Sequence, residues 1–597
     1  MFAPMRSHTI GVALLAVVAG CGPSARDGNG DGGPGAADAF PSGSTCSSDL
    51  HSVLDEQGNV IGTCPDDQGC ANGQCVPACD AAAASQGSVG CDFRVATPSF
   101  YPGFSGFPIA PPCFAVFLAN NWPLGATLTI EHDGQTYDAT TYARVPDGTP
   151  NAAAWPAVTG NAVASDSLAV VFLSTDPTSS NGGNSLACPV TPAVSQANGT
   201  AVFTGSGDAT GRGKAWRIRT SMPVSAYDIL PYGGAGSYLP SAELMLPTTA
   251  WGTNYIAAMP NVDPNASLPG HGWGQIVAAE DNTNVSINPT TPLPAGAGVS
   301  AAPAGQTTTY TLSAGEYIQW QNAGDMSGSR INSDKPVAFT GGNTYVCLGS
   351  STSSGGGCDS AHQMIPPVAA LGFEYVAPPY ATRRADLQPE SIVYRFVGAA
   401  DGTTLTYDPP IAGAPATLAL GQVAEFETVN AFTVKSQDDM HPFYVAQYMT
   451  GCNVTGGSRE AVSPTLGGLG GLGDEEFVNI LPPAQWLTSY VFFTDPSYAT
   501  TNLVVVRKKL AGAFSDVNID CLGTISGWQP VGTSGEYEIT NVDLVRGAPV
   551  GSCTNGRHVG RSAAPFGLMV WGYDSASSYA YPAGGNVGKI NPVVVIL

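Results

Sequence analysis

The sequence predicts an all-β protein made of four degenerate repeats of about 110–120 residues, preceded by a small disulfide-rich module. The expected unit is sandwich-like, with a propeller-like ring as the alternative arrangement. Two observations lead there. Only 11% of the 597 residues are charged, while 74 are Gly and 48 are Pro, which suits short strands joined by turns and leaves few charges for solvated helix faces. A set of short markers also recurs in the same order along residues 92–597.

The first marker is an apolar strand, a proline and a second apolar strand. It runs Ile218 to Met222-Pro223-Val224, and again Ile331 to Lys335-Pro336-Val337. Looser copies are Val434-Lys435 to Pro442-Phe443 and Pro565-Phe566-Gly567-Leu568. The prolines are spaced by 113, 106 and 123 residues. Proline has no amide for a ladder, so it is expected at a strand opening or an edge. The second marker is Pro247 to Trp251 and Tyr255, matched by Pro367 to Leu371 and Tyr375 and by Pro482 to Trp486 and Tyr490. Leu371 standing between Trp251 and Trp486 points to a core role for this position. A third marker, Ala279-Glu280-Asp281 against Ala400-Asp401-Gly402, interrupts apolar alternation with a hairpin signal. The fourth is Leu312 to Gly315 against Leu418 to Gly421.

The N-terminus reads as an address. Residues 1–20 carry Arg6, an apolar run from Ile10 to Ala19, and then Val18-Ala19-Gly20-Cys21. That ending is similar to the bacterial lipobox, and the resemblance makes Cys21 the lipidation site. Several acyl chains on one residue anchor stably. Gly22 in place of an aspartate favours an outer-membrane or cell-surface location. No other stretch approaches the 18 apolar residues of a spanning helix, and Val593 to Leu597 is only strand-length. Residues 21–44 read as a flexible Gly/Asp/Ser tether. Asp27, Asn29 and Asp31 there imitate a calcium loop, but Pro34 interrupts it.

Residues 45–91 hold Cys46, Cys64, Cys70, Cys75, Cys79 and Cys91, a disulfide framework for a piece too small to hold itself by its core. Pairing is left open, since six cysteines allow 15 connectivities. A zinc site is the rival reading and lacks paired ligand spacing. Further on, Cys113/Cys188, Cys347/Cys358 and Cys521/Cys553 make local pairs, which leaves Cys452 over.

The chemistry-bearing motifs of hydrolases, zinc proteases and phosphate loops are missing from the sequence. Neither a catalytic residue nor a metal ligand nor a cofactor is assigned. The seven histidines are scattered, and Glu131-His132-Asp133 before Gly134 reads as a hairpin turn. The acidic sets Asp438-Asp439 and Asp474-Glu475-Glu476 are read as loops. A net charge of -24 opposes binding to nucleic acid. Trp122, Trp273 and Trp528 stand beside Pro or Gly and are the candidates for exposed contacts.

The stretches Glu243 to Pro247, Ala279-Glu280-Asp281, Ser333 to Ala338, Cys347/Cys358 with Asp359, and Phe566 to Tyr573 with Ser578 to Pro582 also resemble the IgGFc-binding protein N-terminal domain family. That family occurs in vertebrate mucus proteins and bacterial surface proteins, and the resemblance covers 92–597. It implies an extracellular binding or adhesion role. No motif for Fc contact carries over, and the von Willebrand D-type modules and Gly-Asp-Pro-His motif of the vertebrate protein are missing. The expected function is non-catalytic binding of a glycoprotein or polysaccharide by a lipid-anchored surface protein. The alternatives are a structural part of an envelope or matrix assembly and a carbohydrate-active enzyme.

Overall fold

A computed structural model describes residues 40–597, apart from 42, 102, 105, 106, 182, 196–209, 238, 262–269, 323 and 461–470. The signal, Cys21 and nearly all of the tether lie outside the described residues. From Pro41 onward the chain forms one compact unit. Its longest described α-helix is Ala78–Ser85, and no described helix is long and apolar enough to cross a membrane.

From Val89 to Pro582 one strand-pairing scheme occurs four times. Each unit opens with an entry strand: Val89–Val95, Gly252–Ile256, Glu374–Ala377 and Leu487–Thr494. A middle strand follows: Phe114–Asn120, Gly272–Ala278, Ile392–Gly398 and Thr500–Lys508. An outer strand pairs with it: Ser167–Thr175, Glu316–Asn322, Val423–Thr428 and Tyr537–Arg546. Next comes a long strand, Trp216–Leu230, Arg330–Val346 and Gly556–Asp574, which in the third unit is split into Phe432–Lys435 and Phe443–Met449. An inner strand ends the unit: Ser241–Met245, Asp359–Ile365, Glu476–Asn479 and Ser577–Pro582.

The proline marker explains itself in this scheme. Ahead of the proline the long strand pairs with the entry strand. Beyond it, the strand joins an antiparallel sheet ordered outer, middle, long, inner. In three units the expected two strands are therefore one continuous strand that changes sheets at Pro223, Pro336 or Pro565. The missing amide falls at the corner, where no ladder bond is required. The tyrosine of the second marker stitches this corner. Tyr255 Oη accepts from Gly252 N at 2.9 Å and donates to the Val337 carbonyl at 2.6 Å, one residue past Pro336. Tyr375 repeats the contact with Gly372 N and the Phe443 carbonyl, and Tyr490 does so with Leu487 N and the Phe566 carbonyl. Trp251 and Trp486 are buried and donate to the carbonyls of Leu246 and Leu481, as their core reading required. The third and fourth markers also meet: Asp281 accepts from Ala314 N and Asp401 from Leu420 N, both at 2.9 Å.

The units close into a ring rather than standing in a row. Each inner strand packs against those of the two neighbouring units, including the first against the fourth. The first unit has a core of its own, and three further cores mix residues of neighbouring units. Phe117 stacks on Phe493 at 4.7 Å between the first and fourth, and Tyr380 meets Trp571 at 5.1 Å between the third and fourth. A glycine permits each close approach: a Cβ on Gly90, Gly252 or Gly372 would come within 2.4–2.5 Å of Pro247, Pro367 or Pro482 of the next unit. At the closure, Ser88 N donates to Gly585 O at 2.8 Å and Val587 N to Gln86 O at 2.9 Å. The end of the chain then crosses the second-unit entry strand as irregular backbone, with Val595 N bonded to Asn254 Oδ1 at 2.9 Å.

The module pairs Cys46–Cys70, Cys64–Cys75 and Cys79–Cys91, and the last pair ties the helix Ala78–Ser85 to the first entry strand. Cys113–Cys188, Cys347–Cys358 and Cys521–Cys553 are also joined, and Cys452 is a buried free thiol.

Candidate functional site

The three tryptophans expected to be exposed lie in three separate places, and two are core residues. Trp122 is 1% exposed. Its Nε1 donates to the Asp66 carbonyl at 2.8 Å and its ring meets His51 at 4.3 Å, so it fastens the disulfide module to the first unit. Trp273 is also 1% exposed, on the second middle strand. Gly342 makes room for it, since a Cβ there would sit 2.3 Å from the indole. A neighbouring Gly or Pro marked loop exposure in the sequence, but here it marks close packing. Trp528 is half-buried, on the outer side of the fourth unit.

Around Trp528 the structure assembles a rim of mixed character. The Arg507 guanidinium lies 4.0 Å over the Trp528 ring and 5.0 Å from the Phe514 ring. Glu538 accepts from Arg507 Nη2 at 2.6 Å, which fixes the guanidinium beside both aromatics. The exposed Lys509 reaches the Phe514 ring at 5.0 Å, and Leu510 is 45% exposed beside it. Of the three consecutive basic residues here, Arg507 is paired with Glu538 and Asp516, Lys508 turns to the other face of the strand and meets Glu374, and Lys509 is left exposed beside the aromatics. Aromatic and Arg side chains sharing a partly exposed surface are the composition of binding hot spots. The Cys521–Cys553 disulfide ties down the segment that leads to Trp528.

The interior holds what sequence reading missed. Asp474-Glu475-Glu476, expected in a loop, is fully buried, and Glu476 opens the third inner strand. Glu476 accepts from Ser241 Oγ at 3.0 Å, Phe477 N at 2.8 Å and Ala580 N at 3.3 Å, so it joins three inner strands. Glu475 accepts from Leu348 N at 2.8 Å and Cys358 N at 2.9 Å, beside the Cys347–Cys358 bridge. Asp359 is buried with neither carboxyl oxygen hydrogen-bonded among the described residues. Burial, then the neighbouring carboxylates Asp474, Glu475 and Glu476, raises its pKa well above the ordinary carboxyl range. Burial likewise raises Glu475 and Glu476. The Cys452 thiol is pushed up to about 12 by burial and by Asp474 and Glu475, so it is a poor nucleophile at neutral pH. Signals for this interior were present only as one acidic run, separate acids and one histidine, which the ring brings together from different units.

Other polar groups are local. Glu131-His132-Asp133-Gly134 forms the expected hairpin turn, with positive φ at Asp133 and Gly134. Asp438-Asp439 lies in an exposed turn where Asp438 meets His441 Nδ1 at 2.6 Å. Asp520, Cys521 and His558 converge, but the Cys521 sulfur is committed to its disulfide.

A family model described as IgGFc binding protein matches residues 241–572, from the first inner strand to the fourth long strand and more than half of the chain. The chain belongs to this IgGFc-binding protein family. The match is narrower than the 92–597 expected from resemblance. It includes the rim at Arg507 and Trp528 but not the module, the first entry strand or Trp122. A human protein named IgGFc-binding protein is 26% identical over 365 residues, covering 59% of this chain. The chain spans only 6% of the length of that human relative. Its name speaks for the human protein.

Proposed function

We propose that this IgGFc-binding family member is an exported lipoprotein, anchored through Cys21, whose ring binds an extracellular glycoprotein or polysaccharide without catalysis. The observation that carries this reading is the rim of the fourth unit, where Arg507 is held between Trp528 and Phe514 with Lys509 and Leu510 exposed beside it. The aromatic–guanidinium stack pre-organises a long side chain, so less entropy is lost when a partner binds. The exposed Lys509 favours a partner that offers an acidic group at that point, and its share of the binding weakens as salt rises.

The test is binding of the oxidised chain to an array of glycans and glycoproteins that includes immunoglobulin Fc. Saturable binding to one class is expected, with at least a tenfold loss in Trp528→Ala and Lys509→Glu. A folded sample that binds nothing on the array would sink the reading. Binding that is indifferent to both substitutions would move the site away from this rim.

A further inference from the structure

Asp228 lies on the first long strand, directly opposite Glu243 on the first inner strand. Directly opposed residues of an antiparallel pair project to the same face, so the two carboxyls stand side by side. The third member comes from the next unit. His362 sits on the second inner strand, and its amide donates to Ser241 Oγ at 3.0 Å, which sets its height against the first unit. Its Nε2 is 2.9 Å from Asp228 Oδ1. One ligand atom from each of the three residues lies within 4.8 Å of the other two. Asp228 and Glu243 are 0% exposed and His362 is 2% exposed.

The hydrogen bonding of this group is incomplete. Asp228 Oδ2 and both oxygens of Glu243 make no hydrogen bond of normal geometry among the described residues, although Glu243 faces Asp228 and the Met364 backbone. A buried carboxylate without a partner is costly, and two facing one another add repulsion. The neighbouring Glu476, by contrast, is held by three donors. The seam thus brings carboxylate oxygens that are short of good donors together beside an imidazole.

We propose that Asp228, Glu243 and His362 bind one divalent transition-metal cation of the zinc type, which clamps the first unit of the ring to the second. The donor set favours this class: one imidazole nitrogen with two carboxylates suits zinc and its neighbours, whereas calcium and magnesium take oxygen-only shells. Two carboxylates also neutralise a doubly charged ion, which makes burial of the whole group tolerable. Ligands about 2.0–2.2 Å from zinc lie roughly 3–3.6 Å from one another, so the present spacing needs only small side-chain adjustments. A four-coordinate ion would take its fourth ligand from the second oxygen of Asp228 or Glu243 or from a water, and burial of all three residues keeps substrates away and gives the metal a structural role. It links strands that meet only when the ring is assembled.

The test uses the full chain, stripped with a chelator and then titrated with zinc chloride, with metal content measured after gel filtration. One zinc per chain and a raised melting temperature are expected. Glu243→Gln and His362→Gln should each weaken zinc binding at least tenfold while leaving ligand binding at the Trp528 rim unchanged. A natively folded chain that retains no zinc would overturn the proposal, as would unchanged stoichiometry in Glu243→Gln. Should either variant fail to fold, cobalt loading of the unaltered chain decides. Visible absorption of a nitrogen–oxygen ligand field supports the site, and a thiolate charge-transfer band, which would place the metal on Cys452, overturns it.

Discussion

At the centre of the ring, Asp228, Glu243, Asp359, Asp474, Glu475 and Glu476 are buried, with Arg383 the nearby cation acting on Asp474. On the rim of the fourth unit, Arg507, Lys508 and Lys509 are partly or fully in solvent, with aromatic and carboxylate neighbours. The centre concentrates acids, whereas at the rim each basic residue but Lys509 has a carboxylate beside it, and burial changes what the charge does. At the rim, the side chains meet water and carboxylate partners. In the centre, the same density of acids must be neutralised by protons, amide donors or a cation. The acidic balance of the sequence is therefore not simply a surface property, because part of it is structural.

The largest effect that could break this contrast is at Arg383. It is fully buried and donates to Glu390 at 2.7 Å and to the Thr450 carbonyl at 2.8 Å. Arg383→Ala leaves Glu390 buried and unpaired, and about 3–5 kcal/mol of stability should be lost in urea unfolding. A loss below about 1 kcal/mol would mean that the interior tolerates a bare charge.

Next is the proton inventory of the centre. The pKa of Asp359 is raised in the folded chain above its unfolded value. Its contribution to stability is therefore complete below the ordinary carboxyl range and is lost as pH rises through the native value. Asp359→Asn removes that dependence. The variant should gain on the unaltered chain as pH rises from 4 to 8, by about 1–3 kcal/mol at the upper end. Parallel melting-temperature curves for the two proteins would show that Asp359 stays ionised.

A smaller cost is expected for a neutral polar contact in the interior. Tyr375→Phe removes the donor to the Phe443 carbonyl and the acceptor for Gly372 N. About 1–2 kcal/mol should be lost. A loss as large as that at Arg383 would show that the corner stitch governs the third unit more than charge pairing does.

The smallest stability effect belongs to the rim. Trp528→Ala should cost no more than about 1 kcal/mol in unfolding, because it removes a half-buried ring and one cation–π contact. A cost of several kcal/mol would make Trp528 a core residue like Trp122 and remove the distinction between centre and rim.

Much of the fold was legible because it repeats. The prolines at 223, 336, 442 and 565 and the tyrosines at 255, 375 and 490 could be aligned without coordinates, and they prove to be two halves of one corner. Their shared geometry gives a physical reason for the shared spacing. The sites were far less legible. Trp122 and Trp273 carry the local signature of exposed loops, yet the module covers one and Gly342 receives the other. Asp474-Glu475-Glu476 looks like a solvated run, and nothing nearby in sequence reveals that amides of Leu348, Cys358 and Ala580 will meet it.

The sequence by itself determined the β class, the recurring markers of each unit, the hairpin turn at Asp133-Gly134 and the core role of Trp251 and Trp486. These depend on neighbours within a few residues or on a pattern that recurs. Tertiary structure decided that the units close into a ring, and with it which polar side chains lose water. Asp228 and His362 are 134 residues apart and become partners only at a seam between units. Burial and convergence of that kind are set by packing between units, which no local pattern records.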